Sequence, residues 1–262
     1  MRIIAGICAC IASFLAGCGE GVSPAPGGAN VPASKPVHAL ALPGDSGERI
    51  AYHDNGKVEA RWRVKKLADD AFVRHGKYEA FYSSGQKYIE GNYEEDKQTG
   101  LWMGWHQNGR KAYEETFVNG KRQGERTSWH SSGMTLDKAV YVDGALNGQY
   151  MEWYDTAQLK TIGDYKANVK TGQWQTMYEN GKPHTSEWYV EGELHGPVAH
   201  FYPNGKQSVE GLYQLGQLSG LWTYWYENGN IRAQGEFHKG TPIGVWKQFD
   251  ESGKEITAEP VK

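Results

Sequence analysis

Large rings and polar residues alternate along this chain in a measure set by glycine. Gly76, Gly100, Gly124, Gly148, Gly172, Gly196, Gly220 and Gly244 stand 24 residues apart, with nothing inserted or lost. Two residues after most of them comes a ring: Tyr78, Trp102, Tyr150, Trp174, Trp222 and Trp246, with Arg126 and Val198 in the remaining slots. Five after them runs a second file, Phe81, Trp105, Trp129, Trp153, Met177, Phe201, Trp225 and Phe249. Seventeen after them stands Tyr or Phe, from Tyr93 to Phe237. A constant period means that every unit occupies the same space against its neighbours.

The punctuation inside the unit predicts hairpins. A glycine falls nine residues after each opening glycine, except where Ala157 replaces it, and Asn precedes it in Asn108-Gly109, Asn180-Gly181, Asn204-Gly205 and Asn228-Gly229. Asn-Gly between strands predicts a two-residue type I′ turn, whose central residues both need positive φ. Asn119-Gly120 and Asp143-Gly144 mark a second turn, and Asp96 and Asn168 fill its glycine slot elsewhere; both residue types tolerate the left-handed region. Two turns per unit leave two strands of roughly six to eight residues. Ala157 is expected to strain its turn or change its type.

The fold class is therefore all-β, an elongated meander of stacked hairpin repeats of 24 residues. Residues 46–75 form an atypical first repeat: GERIAYHDNG, from Gly47 to Gly56, matches half a unit, then five surplus residues fall near Lys65 to Val73. Regular repeats span 76–254 and a tail spans 255–262. Alternation places the second and sixth residues of a unit on one face and the fifth on the other. Both faces then carry rings; one file is the packed core, and the pattern alone does not say which.

Composition narrows the function. A formal charge of −3 offers no basic field for nucleic acid. Arg2 and the apolar stretch Ile3 to Leu15 precede Leu15-Ala16-Gly17-Cys18. That stretch is shorter than the ~20 residues a spanning helix needs, and the small residues before Cys18 resemble a bacterial lipobox. The resemblance implies that 1–17 is a lipoprotein signal peptide, cleaved after Gly17, and that Cys18 takes a thioether-linked diacylglycerol and is then N-acylated. Residues 18–45 follow as the lipidated cysteine and a tether rich in Pro, Gly, Ala and Ser, a composition that stays flexible. Gly19, rather than Asp, follows the anchor. By resemblance to Gram-negative sorting rules, this implies a periplasm-facing lipoprotein on the inner leaflet of the outer membrane. Cys8 and Cys10 leave with the signal, so no disulfide framework or cysteine zinc site is available.

The pattern G-x-W-x-x-W/F-Y/H-x-N-G followed by G-x-Y and x-G resembles the MORN repeat, in the variant found in YwqK-type antitoxins. The match runs from about Gly47 to Lys254, with Ala157, Arg126 and Val198 as its departures. The resemblance implies a repeat sheet that works as a binding surface. Exported members are similar to periplasmic immunity proteins, some of them cognate to phospholipase effectors of type VI secretion. The expected partner is therefore a toxic effector protein, a phospholipase among the candidates, with the membrane engaged through Cys18.

Motifs for chemistry are missing. There is no His-Glu-x-x-His, no G-x-S-x-G and no Walker loop, so neither a metal, a cofactor nor a small-molecule substrate is expected, and the protein is not expected to be an enzyme. His106 and His130 occupy equivalent slots in adjacent units, two strands and about 9–10 Å apart, which is long for sharing a metal. Trp, Tyr and His dominate interface hot spots. Trp105, His106, Trp129, His130, Trp153 and Tyr154, aligned in adjacent repeats, are the partner-binding candidates. The alternative class is a structural or lipid-binding envelope lipoprotein of the same architecture.

Overall fold

The computed structural model describes residues 46–256. The expected signal peptide, the expected lipidation site Cys18, the expected tether and most of the C-terminal tail lie outside the described residues. Nineteen antiparallel strands join in chain order into one open sheet, from Ser46–Tyr52 to Thr241–Gln248. Each repeat is a hairpin, and consecutive hairpins pair edge to edge, as predicted. The surplus of the first repeat lengthens one connection: Val58–Lys66 and Phe72–Phe81 are joined through Leu67 to Ala71. At the other end, Glu255 bridges back to Phe249.

The two turns of a unit differ. The second is the type I′ turn expected of it: Asn119 and Gly120 have φ of 50° and 79°, and Leu215 and Gly216 have 50° and 71°. The first turn is not. Gly109 has φ of 81°, but Asn108 does not enter the left-handed region. Gly109 N–H donates to the His106 carbonyl, His106 N–H donates to Arg110, and the register slips between Gly104 and Trp105. This is a type I turn closed by a left-handed residue and a bulge. Asparagine is used here for its side chain. Asn108 Oδ1 accepts from Arg110 N–H at 3.1 Å, and its Nδ2 donates to the Ser131 carbonyl of the next repeat at 2.7 Å. Ala157 keeps the same turn at a φ of 63°, so the expected strain is present and the turn type is unchanged.

The core lies on one face. Where two repeats meet, Glu90 pairs with Met103 and Asn92 with Thr99, so Gly91 alone opposes Gly100, Leu101 and Trp102. Gly100, at a φ of 66°, makes this bulge possible, and the bulge lays the Trp102 indole flat across Gly91. A Cβ on Gly91 would sit 2.2 Å from the ring. Trp102 is fully buried, edge-on to Tyr93 at 5.0 Å and stacked on Tyr78 at 5.9 Å. Its Nε1 donates to the Asn92 carbonyl at 3.2 Å. Trp174 over Gly163 and Trp222 over Gly211 repeat the arrangement. The second-residue file is therefore the core, and a single sheet buries it by folding each ring onto the neighbouring backbone.

Candidate binding surface

The opposite, outer face carries the fifth-residue file. Trp105, Trp129 and Trp153 are half-buried there, in consecutive repeats, with a step of about 10 Å set by strand spacing. Basic side chains lie over the rings: Lys87 Nζ is 5.3 Å from the centre of Trp105, and Lys111 Nζ is 5.2 Å from that of Trp129. Both are within the range of cation–π attraction. Beneath them Glu79, almost fully buried, receives Arg61 at 2.7 Å, Lys77 at 2.9 Å and Lys87 at 3.1 Å. Burial works against the Glu79 carboxylate, but hydrogen bonds from Lys77, Arg61 and Lys87 outweigh it and hold its pKa down at about 2. The outer face of the first repeats is thus ordered by charge as well as by rings.

His106, His130 and Tyr154 stand next to that file but do not share the core face with Trp102. The strands end before them, and they lie along the turn edge, half-buried. His106 Nε2 lies 2.8 Å from the Trp129 carbonyl, His130 Nε2 lies 3.2 Å from that of Trp153, and Tyr154 Oη donates to Met177 at 2.9 Å. A carbonyl oxygen only accepts, so Nε2 carries the proton in both histidines. Tyr82, Tyr178, Tyr202 and Tyr226 make the same bond to the next repeat. The histidines are rungs of an inter-repeat ladder. The structure thus brings all six candidates together along consecutive repeats, while giving three of them a structural bond as well. Asp250 occupies this slot in the last unit and accepts bonds from its own turn, at Ser252 and Lys254.

Two ionic inserts interrupt the core, three repeats apart, and sequence reasoning passed over both. Where Arg126 replaces the ring, Glu115 replaces the glycine beneath it. Arg126 Nη1 is 2.6 Å from Asp137, which also accepts from Ser128, and Arg122 is 2.6 Å from Glu115. Where Val198 replaces the ring, Glu187 replaces the glycine. It receives Tyr189 Oη at 2.8 Å and His200 Nε2 at 3.2 Å. Burial raises the Glu187 pKa, and the bonds from His200 and Tyr189 more than reverse this, leaving it lowered. Lys170, lying 4.2 Å over Trp174, has its pKa lowered by burial. These groups are paired with one another, as buried charges require, although Arg126 Nε, 3.6 Å from Glu115, is buried without a hydrogen bond. Among the described residues, no group of three His, Cys, Asp or Glu side chains is placed to hold a metal. Concavities on the outer face are shallow furrows at repeat boundaries, one lined by Trp188 and Pro197 and another by Leu221 and Val245.

Together these features define a hairpin-repeat protein with one sheet, a core on one face and a ring-bearing outer face. Two segments, residues 74–95 and 218–239, match the family model of the MORN repeat variant. Each covers one hairpin, and the 24-residue period carries the same skeleton through the units between them. Repeats of this family make repeat-based binding and structural proteins. No curated protein matches the chain.

Proposed function

We propose that this protein neutralises a toxic effector enzyme by direct protein–protein contact, as a non-catalytic immunity protein held at the membrane through Cys18. Supporting this reading is an open sheet face that displays half-buried Trp105, Trp129 and Trp153 in register. Such a file presents large, stiff side chains at little entropic cost, the property that makes Trp and Tyr interface anchors. An open face whose concavities are shallow furrows suits occlusion of another protein's surface better than enclosure of a small substrate. The lipobox-like Leu15-Ala16-Gly17-Cys18 supports a periplasm-facing anchor on the outer membrane, where a phospholipase effector would act. The test is deletion of the gene followed by challenge with sibling cells that carry the neighbouring effector gene. Loss of survival, restored by the wild-type gene, is expected; survival unchanged by the deletion ends the immunity reading. A pull-down of the unlipidated chain on liposomes separates it from a lipid-binding envelope role.

A further inference from the structure

Seven asparagines in this chain precede a glycine, and the structure treats one of them differently. In the first turns the asparagine side chain is held at both ends. Asn55, Asn108, Asn180, Asn204 and Asn228 each accept from the backbone N–H two residues on. Each also donates from Nδ2 to a carbonyl of the next repeat. Asn147, half-buried in its strand, accepts from Ala167 N–H at 3.4 Å. Asn119 is exposed at the tip of a second turn, and among the described residues its side chain makes no hydrogen bond. The glycine nitrogens do not differ in this way: Gly120 N–H donates to the Gln98 carbonyl and Gly109 N–H to that of His106, both at 2.9 Å. A carboxamide free to turn is what sets Asn119 apart.

We propose that Asn119 is a modification site, the Asn-Gly step that this fold leaves open to spontaneous deamidation by water. Hydroxide takes the proton from Gly120 N–H, and the nitrogen attacks Asn119 Cγ. The Cγ–Nδ2 bond breaks, ammonia leaves, and a five-membered succinimide remains. Glycine favours the step because no side chain crowds its nitrogen. Water then opens the ring. Cleavage of the bond from nitrogen to Cγ gives aspartate, and cleavage of the bond to the backbone carbonyl carbon gives isoaspartate. In the first turns, swinging the carboxamide towards the glycine nitrogen would break both of its hydrogen bonds. The chain already holds the aspartate product. Asp143-Gly144 is the equivalent turn of the next repeat, with φ of 50° and 86°, and Gly144 N–H keeps its bond to the Arg122 carbonyl at 2.9 Å. Aspartate at 119 therefore preserves the turn and adds a carboxylate two residues from Lys121. Isoaspartate adds a backbone carbon to a two-residue turn and so disturbs the register of Val118 with Lys121. Asn119 lies at the opposite end of the strands from Trp105, so the proposal is independent of the immunity reading.

The experiment is incubation of the folded full chain carrying Cys18→Ser at mildly alkaline pH, followed by trypsin digestion and mass spectrometry. The peptide from Ala112 to Lys121 carries Asn119 alone, and the peptide ending at Arg110 carries Asn108. Asn119 should convert at least tenfold faster than Asn108, the factor that about 1.4 kcal/mol of side-chain bonding imposes. Both aspartate and isoaspartate should appear in its peptide, the second of them labelled by isoaspartyl methyltransferase. In urea, where the turns are lost, the preference for Asn119 should disappear. Conversion of Asn119 no faster than that of the other Asn-Gly steps in the folded chain overturns the proposal. So does a preference that persists in urea, because local sequence rather than the fold would then be its cause.

Discussion

Gly91→Ala adds one methyl group, and its effect can be worked out from distances. Gly91 does not need a left-handed backbone; its constraint is the indole of Trp102. The new Cβ would lie 2.2 Å from Cδ2 and 2.3 Å from Cε2, whereas carbon atoms in contact prefer about 3.5–4.0 Å. The indole must therefore retreat by more than an ångström. It is held by Tyr78, Tyr93 and Phe117 and by the bond to the Asn92 carbonyl, so retreat breaks these contacts. Overpacking costs about 1–3 kcal/mol, a lost hydrogen bond about 1 kcal/mol, and each disturbed ring pair about 0.5–1.5 kcal/mol. The ceiling is expulsion of the ring, about 3–5 kcal/mol as for Trp→Ala. A loss of about 3 kcal/mol is expected. The assay is urea unfolding followed by circular dichroism, with hydrogen exchange to localise the damage, because repeat arrays need not unfold in two states. In the double variant with Trp102→Ala the added methyl meets no ring, so it should cost almost nothing beyond Trp102→Ala alone. Gly91→Ala with Trp102→Tyr reproduces the Ala139–Tyr150 pair already in the chain and should recover part of the loss. A cost below about 0.5 kcal/mol, the level of a neutral surface change, or strict additivity with Trp102→Ala, would refute the lock.

Ala157→Gly should raise stability by about 1 kcal/mol, because alanine is held at a φ of 63° that glycine adopts without strain; an unchanged urea midpoint would contradict this. His106→Tyr should preserve the rung to Trp129, as Tyr does in neighbouring repeats, whereas His106→Phe orphans the carbonyl and costs about 1 kcal/mol. Equal stabilities of the two variants would remove the ladder role, and nitrogen NMR of the imidazole should find the proton on Nε2. Glu79 has a folded pKa of about 2 against an ordinary 4.5. The folded state therefore binds fewer protons than the unfolded chain. The stabilisation is complete above pH 4.5 and is lost as pH falls towards 2, an effect of up to about 3 kcal/mol. Glu79→Gln should flatten the acid limb of the stability curve in that window, and an unaltered limb in urea titrations would refute the assignment.

The period and the hairpins are legible because glycine and ring spacing are direct consequences of turns and packing. The second turn was readable from its left-handed residues, Asn119-Gly120 and Asp143-Gly144. The first was misread because Asn-Gly has two physical uses. Positive φ at both residues and side-chain bonding by the asparagine give the same dipeptide, and only the 2.7 Å bond from Asn108 to Ser131 separates them. The packed face was not assignable from alternation, since both files hold rings. Yet the signal was present. Gly91, Gly163, Gly211 and Gly235 precede a tryptophan by eleven residues, whereas Glu115, Ala139 and Glu187 precede Arg126, Tyr150 and Val198. A glycine that appears only when tryptophan follows at that distance identifies the ring laid over it, and so the core. The ionic inserts were hidden because Arg126 and Val198 read as mere departures until their partners Glu115 and Glu187 are seen beneath them.

This division of labour says where function can vary. The inner face is fixed by pairwise fit: a ring and a glycine, or an arginine and a carboxylate. The turn edges are fixed by ladders, in which the side chain at the sixth position of one repeat donates to a carbonyl of the next, from His53 to Tyr226. Neither requirement reaches the exposed positions of the outer face. Those positions can change from charge to hydrocarbon without loss of the fold, and between Lys77 and Val245 they do. In a sheet whose stability is supplied from one side and from its turns, the remaining side is the one that can be shaped by partners. Substitutions at the exposed positions beside the half-buried tryptophans should therefore change a partner's contacts while leaving the hairpin fold intact.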